Sequence, residues 1–200
     1  VGRRRRSILG RGRTVGSEGT VDELEAVWEV TACAAEFESL VSDLYSEIAA
    51  RAESRAASLG LRFLALQSRS HAEYLRLLTS ELWGPGPTVG DCRKVVGLPW
   101  RTAEEVRTEV AGSDRLDDGR LAALLGRLEV VERFIGEETY HRILFNLLRE
   151  VLPRVKGVEG ADVVLDTLEE LSREEGFHER LLRRIAEPLG HGRGAGRPPR

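Results

Sequence analysis

The sequence predicts an all-α protein in which two helical hairpins are joined by a long connection between the second and third helices. Three observations carry this. Long stretches lack Pro and Gly and repeat apolar residues every three or four positions, while none sustains the alternation of a strand. The firmest break, Gly84-Pro85-Gly86-Pro87, falls near the middle of the chain. The 200 residues, 41% hydrophobic and 32% charged, suit one domain with a substantial core and a solvated surface.

In chain order, Thr20 and Glu23 form a capping box, so the first helix is expected from near Val21 to about Arg55. Gly60 interrupts the pattern, and a second helix is expected from Leu61 to Trp83. Gly84 to Trp100 then reads as a crossover connection, after which Thr102 caps a short helix to about Ala111. The third long helix is expected from Leu121 to Val155 with Pro153 in its last turn, Gly157 to Gly160 forms a turn, and the fourth helix runs from Asp162 to Glu187, ended by Pro188. The bundle thus spans 20–188, flanked by basic, disordered ends at 1–19 and 189–200.

Those ends hold six arginines up to Thr14 and three from His191, so the stretch between them is acidic. Nucleic-acid binding needs a clustered basic face, and such a body does not offer one apart from its Arg-rich ends. No apolar run approaches the roughly 18 residues of a membrane helix, and no apolar h-region follows the first arginines, so a cytoplasmic protein is expected. Cys33 and Cys92 are too few for a disulfide scaffold and lack zinc-site spacing, which reads as two buried thiols. Scarce Lys, Asn and Gln beside abundant charge point to a thermophile, where an intracellular disulfide is also feasible, although a GC-rich genome gives the same usage.

Steps of three and four along each helix pick out the face that packs inward. On the fourth helix Val164, Leu168 and Leu171 precede Glu175 and His178, and Leu182 and Ile185 follow. The first helix places Glu38 and then Tyr45 in its apolar stripe, the second Ser68 and His71, the third Glu138 and His141. Any one of these pairs alone reads more simply as a surface acid beside a core histidine, because helices this charged carry Glu on every face. Four helices placing polar atoms at one level is a different matter. A buried lone carboxylate costs several kcal/mol, and a shared cation neutralises all of them together. Residues i and i+3 lie on one face about 5 to 6 Å apart, so Glu175 and His178 can share one ion.

Glu38-Ser-Leu-Val-Ser-Asp-Leu-Tyr45, Ser68-Arg-Ser-His71, Glu138-Thr-Tyr-His141 and Glu175-Gly-Phe-His178 together resemble the ferritin and rubrerythrin superfamily over Val21 to Glu187. In that family the first and third helices each give a Glu and the second and fourth each give Glu-x-x-His. The resemblance implies a ferritin-like four-helix bundle whose metal ligands are Glu38, His71, Glu138, Glu175 and His178. Ser68 stands where the second helix should have its Glu, leaving five of six ligands. His141, outside the family pattern, is the candidate replacement. Tyr45 takes the place of a family tyrosine near the metals, able to hydrogen-bond or donate an electron.

The resemblance further implies two iron ions, or one if Ser68 leaves a gap, with manganese as the other candidate, and dioxygen or peroxide as the small substrate. It also implies a homodimer as the usual assembly. Without four paired cysteines there is no rubredoxin-like centre. Ferrous oxidation, peroxide reduction and hydroxylation of an organic substrate are all compatible with such a site. Ser68 also motivates a competing expectation, a ferritin-like module that has lost its chemistry and serves in assembly or binding.

Overall fold

A computed structural model describes residues 18–84, 90–154 and 160–190. The arginine-rich start, the side chains of the Thr20 and Glu23 box, most of the Gly157 to Gly160 turn and the tail with His191 lie outside the described residues. The protein is all-α, with no strand among the described residues.

Helices α1 (Glu18–Arg51) and α2 (Arg55–Trp83) make the first hairpin. The chain breaks at residues 52–54 and not at Gly60, because Ser54 takes an extended conformation and its hydroxyl accepts the Ala57 N–H, satisfying an open donor of the first turn. Gly60 lies inside α2, where it faces the end of the Ile185 side chain on the last helix. Leu116 N–H donates to Arg51 O at 2.9 Å and ties this hairpin's turn to the loop before the third long helix.

The connection contains two further helices, α3 (Cys92–Val96) and α4 (Leu98–Ala111). Cys33 and Cys92 are joined in a disulfide that fastens α3 to α1, which corrects the expectation of two thiols. A crosslink between positions 59 residues apart restricts the unfolded chain and stabilises the fold by a few kcal/mol. Helix α4 also starts earlier than Thr102. Pro99 sits in its first turn, where a missing N–H costs nothing, and Thr102 lies inside the helix with its hydroxyl donating to Leu98 O.

Helix α5 (Asp118–Phe134) is capped by Asp117, whose carboxylate accepts the Arg120 N–H at 2.9 Å. It continues unbroken into a π-helical stretch (Ile135–Phe145), then α6 (Asn146–Val151) and one tight turn at Leu152–Arg154. The π-type i to i+5 bonding widens the turn and changes which residues face inward. Buried positions run Val131, Ile135, Tyr140, Leu144 and Leu148, so a five-residue step replaces the expected three or four. The last helix, α7 (Ala161–Gly190), runs through Pro188 instead of ending before it, since a proline in the final turn removes only one late donor.

Helix α2 packs on α1, and α7 packs on α5, the π stretch and α2, while α4 lies against α5 and α1. Layers of fully buried side chains, among them Leu44, Ile48, Leu61, Leu64, Leu75, Leu124, Leu128, Leu168 and Leu182, line these contacts. Each contributes about 1.5 to 3 kcal/mol by leaving water, which makes the polar groups embedded among them costly unless they are partnered.

Candidate metal centre

Five ionisable side chains meet inside this apolar frame: Glu38 from α1, His71 from α2, Glu132 from α5, and Glu175 and His178 from α7, none more than 2% exposed. Two groups of three can each hold a metal ion, Glu38 with His71 and Glu175, and Glu132 with Glu175 and His178. Glu175 belongs to both.

The two imidazoles stack with centroids 5.5 Å apart and turn the same nitrogen toward the carboxylates. His71 Nδ1 lies 2.7 Å from Glu175 Oε1 and 3.7 Å from Glu38 Oε1, yet is not aligned as a hydrogen bond to either. His178 Nδ1 lies 3.2 Å from Glu175 Oε2 and 3.3 Å from Glu132 Oε2. The far nitrogens face acceptors. His71 Nε2 donates to Glu174 Oε2 at 2.7 Å, and His178 Nε2 faces Gln67 Oε1 at 3.1 Å. Such outer partners fix the ring and its tautomer, leaving Nδ1 as the donor atom toward the centre.

The same reciprocity holds for two buried tyrosines. Tyr45 on α1 donates its hydroxyl hydrogen to Glu132, and Tyr140 in the π stretch donates to Glu38. Each outer carboxylate is thus held by a phenol from across the bundle. Burial first, and then the adjacent carboxylates, push both phenols well above their ordinary range, so they stay protonated donors.

Without metal the centre is an ionic cluster. Burial opposes a charge on His71, but contacts with Glu175 and Glu38 outweigh it and push the imidazole up to about 12. His178, equally opposed by burial, is pushed up to about 10 by Glu175 and Glu132. Burial and the neighbouring Glu175 charge raise Glu132 to about 8. Burial and Glu38 work against the Glu175 charge, but the His178 cation holds its carboxyl below the ordinary value. The metal-free centre therefore keeps protons on both imidazoles, protons that a cation has to displace.

Glu38, His71, Glu175, His178 and Tyr45 of the expected set come together here. Glu138 and His141 do not. Glu138 is 37% exposed with a carboxylate oxygen 2.5 Å from Arg142, and His141 is exposed beside Phe145. The π-type turn rotates both outward, and Glu132 supplies the third-helix acid. The missed signal is a spacing: Glu38 precedes Tyr45 by seven positions and Glu132 precedes Tyr140 by eight, the added residue being what a π turn accommodates. Gln67 and Glu174 carried a subtler one, since each lies four residues before a site histidine and supports the other one.

The residues fit a cation on the structure's own terms. Glu38 Oε2, both oxygens of Glu175 and His71 Nδ1 are buried without a hydrogen-bond partner, which is the state of ligand atoms whose natural partner is an ion. Carboxylate oxygens mixed with imidazole nitrogens suit divalent transition metals. No protein-family model matches the chain, nor does any curated protein or solved structure to which it was compared.

Proposed function

We propose that the chain is a ferritin-like oxidoreductase with a two-metal carboxylate centre, in which iron or manganese ions held by Glu38, His71, Glu132, Glu175 and His178 react with dioxygen or peroxide. The observation that carries this reading is the position of Glu175 in both donor groups, where one carboxylate would serve two ions. The two helical hairpins, with the acids and histidines on facing helices, support the ferritin-like assignment. Bound there, such ions supply electrons and open coordination positions for a small oxidant.

The chain's own residues do the rest. Glu174 and Gln67 orient the imidazoles, Tyr45 and Tyr140 donate hydrogen bonds to the outer carboxylates, and the surrounding leucine layers keep bulk water away. Anaerobic reconstitution with ferrous iron tests the reading: two tightly bound ions per chain are expected, with oxygen or peroxide consumed faster than by free iron. Absence of tight binding ends it.

One observation favours a second reading, a helical module without chemistry. Two protonated imidazoles already offset most of the buried acid in the metal-free protein, so the cluster persists without an ion. Iron-loaded protein no faster than free iron would decide for that module.

A further inference from the structure

Ser68 lies on α2 one turn before His71, as Glu175 lies on α7 one turn before His178. The two positions correspond, because the two histidines, their outer partners Glu174 and Gln67, and the tyrosine-held acids all correspond in the same way. Glu175 belongs to both donor groups, whereas the corresponding position on α2 carries only a hydroxyl.

That hydroxyl is fully buried and has no partner. Among the described residues the other buried serine and threonine hydroxyls have one: Thr31 donates to Val27 O, Ser42 to Ala65 O, Thr79 to Leu75 O and Ser113 to Glu109 O. A helical serine normally bonds back to the carbonyl four residues earlier, and Ser68 does not. Leaving a buried donor unused is unfavourable, so a hydroxyl in this state calls for an acceptor from outside the chain.

Charge points the same way. Two divalent cations bound there would meet three carboxylates, from Glu38, Glu132 and Glu175, together with two imidazoles that must be neutral to ligate. One positive charge remains in an apolar interior, where an uncompensated charge is costly. Glu174 does not remove it, because it sits behind His71 on the far nitrogen and is partly solvated. Where serine carries a hydroxyl, glutamate carries a carboxymethyl group, which is the size of an acetate.

We propose that the metal-loaded centre binds one small exogenous carboxylate, of formate or acetate size, beside Ser68, whose hydroxyl donates to it. This rests on the two-metal reading and adds a ligand site to it. The anion supplies the fourth negative charge and accepts the hydrogen bond that no protein group accepts.

The test is calorimetric titration of sodium formate, then sodium acetate, into anaerobic protein loaded with Mn(II), with the metal counted in the same sample. One anion per chain is expected. S68A should weaken it by about tenfold, the worth of a hydrogen bond to a charged group. S68E should still take up two ions but no longer bind formate, because the chain then provides the carboxylate itself. Two bound ions with no anion binding, or formate binding to S68E as to the wild type, would overturn the site while leaving the metal centre standing. Failure of the wild type to take up metal overturns both. Should S68E not fold, wild type against S68A decides.

Discussion

Gly136 and Glu175 meet where no side chain fits between them: a Cβ on Gly136 would sit 2.8 Å from Glu175 Cβ and 3.4 Å from Ser172 O. The Ser172 hydroxyl donates to Gly136 O at 3.0 Å and closes the same contact. A residue at the start of the π stretch thereby sets how near α7 comes, and α7 carries the carboxylate shared by both donor groups.

G136A should push α7 away, because the clash is with a Cβ and a backbone oxygen, neither of which can swing aside. A cost of about 1 to 3 kcal/mol is expected, as for overpacking. Metal affinity should fall along with thermal stability. A variant with unchanged melting and unchanged manganese titration would show that the close approach does not position Glu175.

Exchanging Glu175 against Glu138 separates the two candidate acids. E175A removes a donor from both groups and the buried counter-charge that His71 and His178 share, so loss of metal binding and about 3 to 5 kcal/mol of destabilisation are expected in the metal-free protein. E138Q changes a carboxylate that is 37% exposed and paired with Arg142, and metal stoichiometry should be unaffected. Metal counting on both variants checks this, and a loss on E138Q alone would reinstate the third-helix assignment made from the sequence.

That assignment shows where sequence reasoning stopped. Glu38, His71, Glu175 and His178 were legible because α1, α2 and α7 keep α-helical periodicity through the site, so steps of three and four stay in phase with the core. The third helix does not. Its phase shifts at Ile135, and nothing in the residue types there announces a widened turn except the Glu132 to Tyr140 spacing and a glycine at 136. The hairpin break was displaced because Gly60 resembled a breaker, while Ser54 had the hydroxyl that caps α2. The disulfide was beyond reach, since a pair of cysteines 59 residues apart says nothing about distance.

The two tyrosines should behave alike if their roles correspond. Y45F leaves Glu132, and Y140F leaves Glu38, without its phenolic donor, at about 1 to 3 kcal/mol each for a buried acceptor left without its partner. Chemical denaturation of metal-free protein measures this, and the metal-loaded form should lose less, because a cation then partners the carboxylate. Equal loss in both forms would argue that these acids face away from the ion.

Stability against pH distinguishes the metal-free protein from the loaded one. His71 and His178 are raised from near 6.5 in the unfolded chain to about 12 and about 10 in the fold, so the folded state binds protons more tightly. Their stabilisation is fully present below about pH 6.5 and is lost as the pH rises toward those values. Glu132, raised to about 8, adds to the same trend, because above its unfolded value near 4.5 the fold resists giving up that proton until pH 8. The metal-free protein should therefore melt at progressively lower temperature from pH 6 to 9. Metal uptake runs the other way: ligation needs the imidazole protons gone, so affinity should strengthen over that range and each binding event should release protons to the buffer. Melting curves with and without Mn(II), and binding heats compared in buffers of different ionisation enthalpy, read out both trends. A metal-free melting temperature that climbs from pH 6 to 9 would contradict the protonated cluster from which the whole electrostatic account starts.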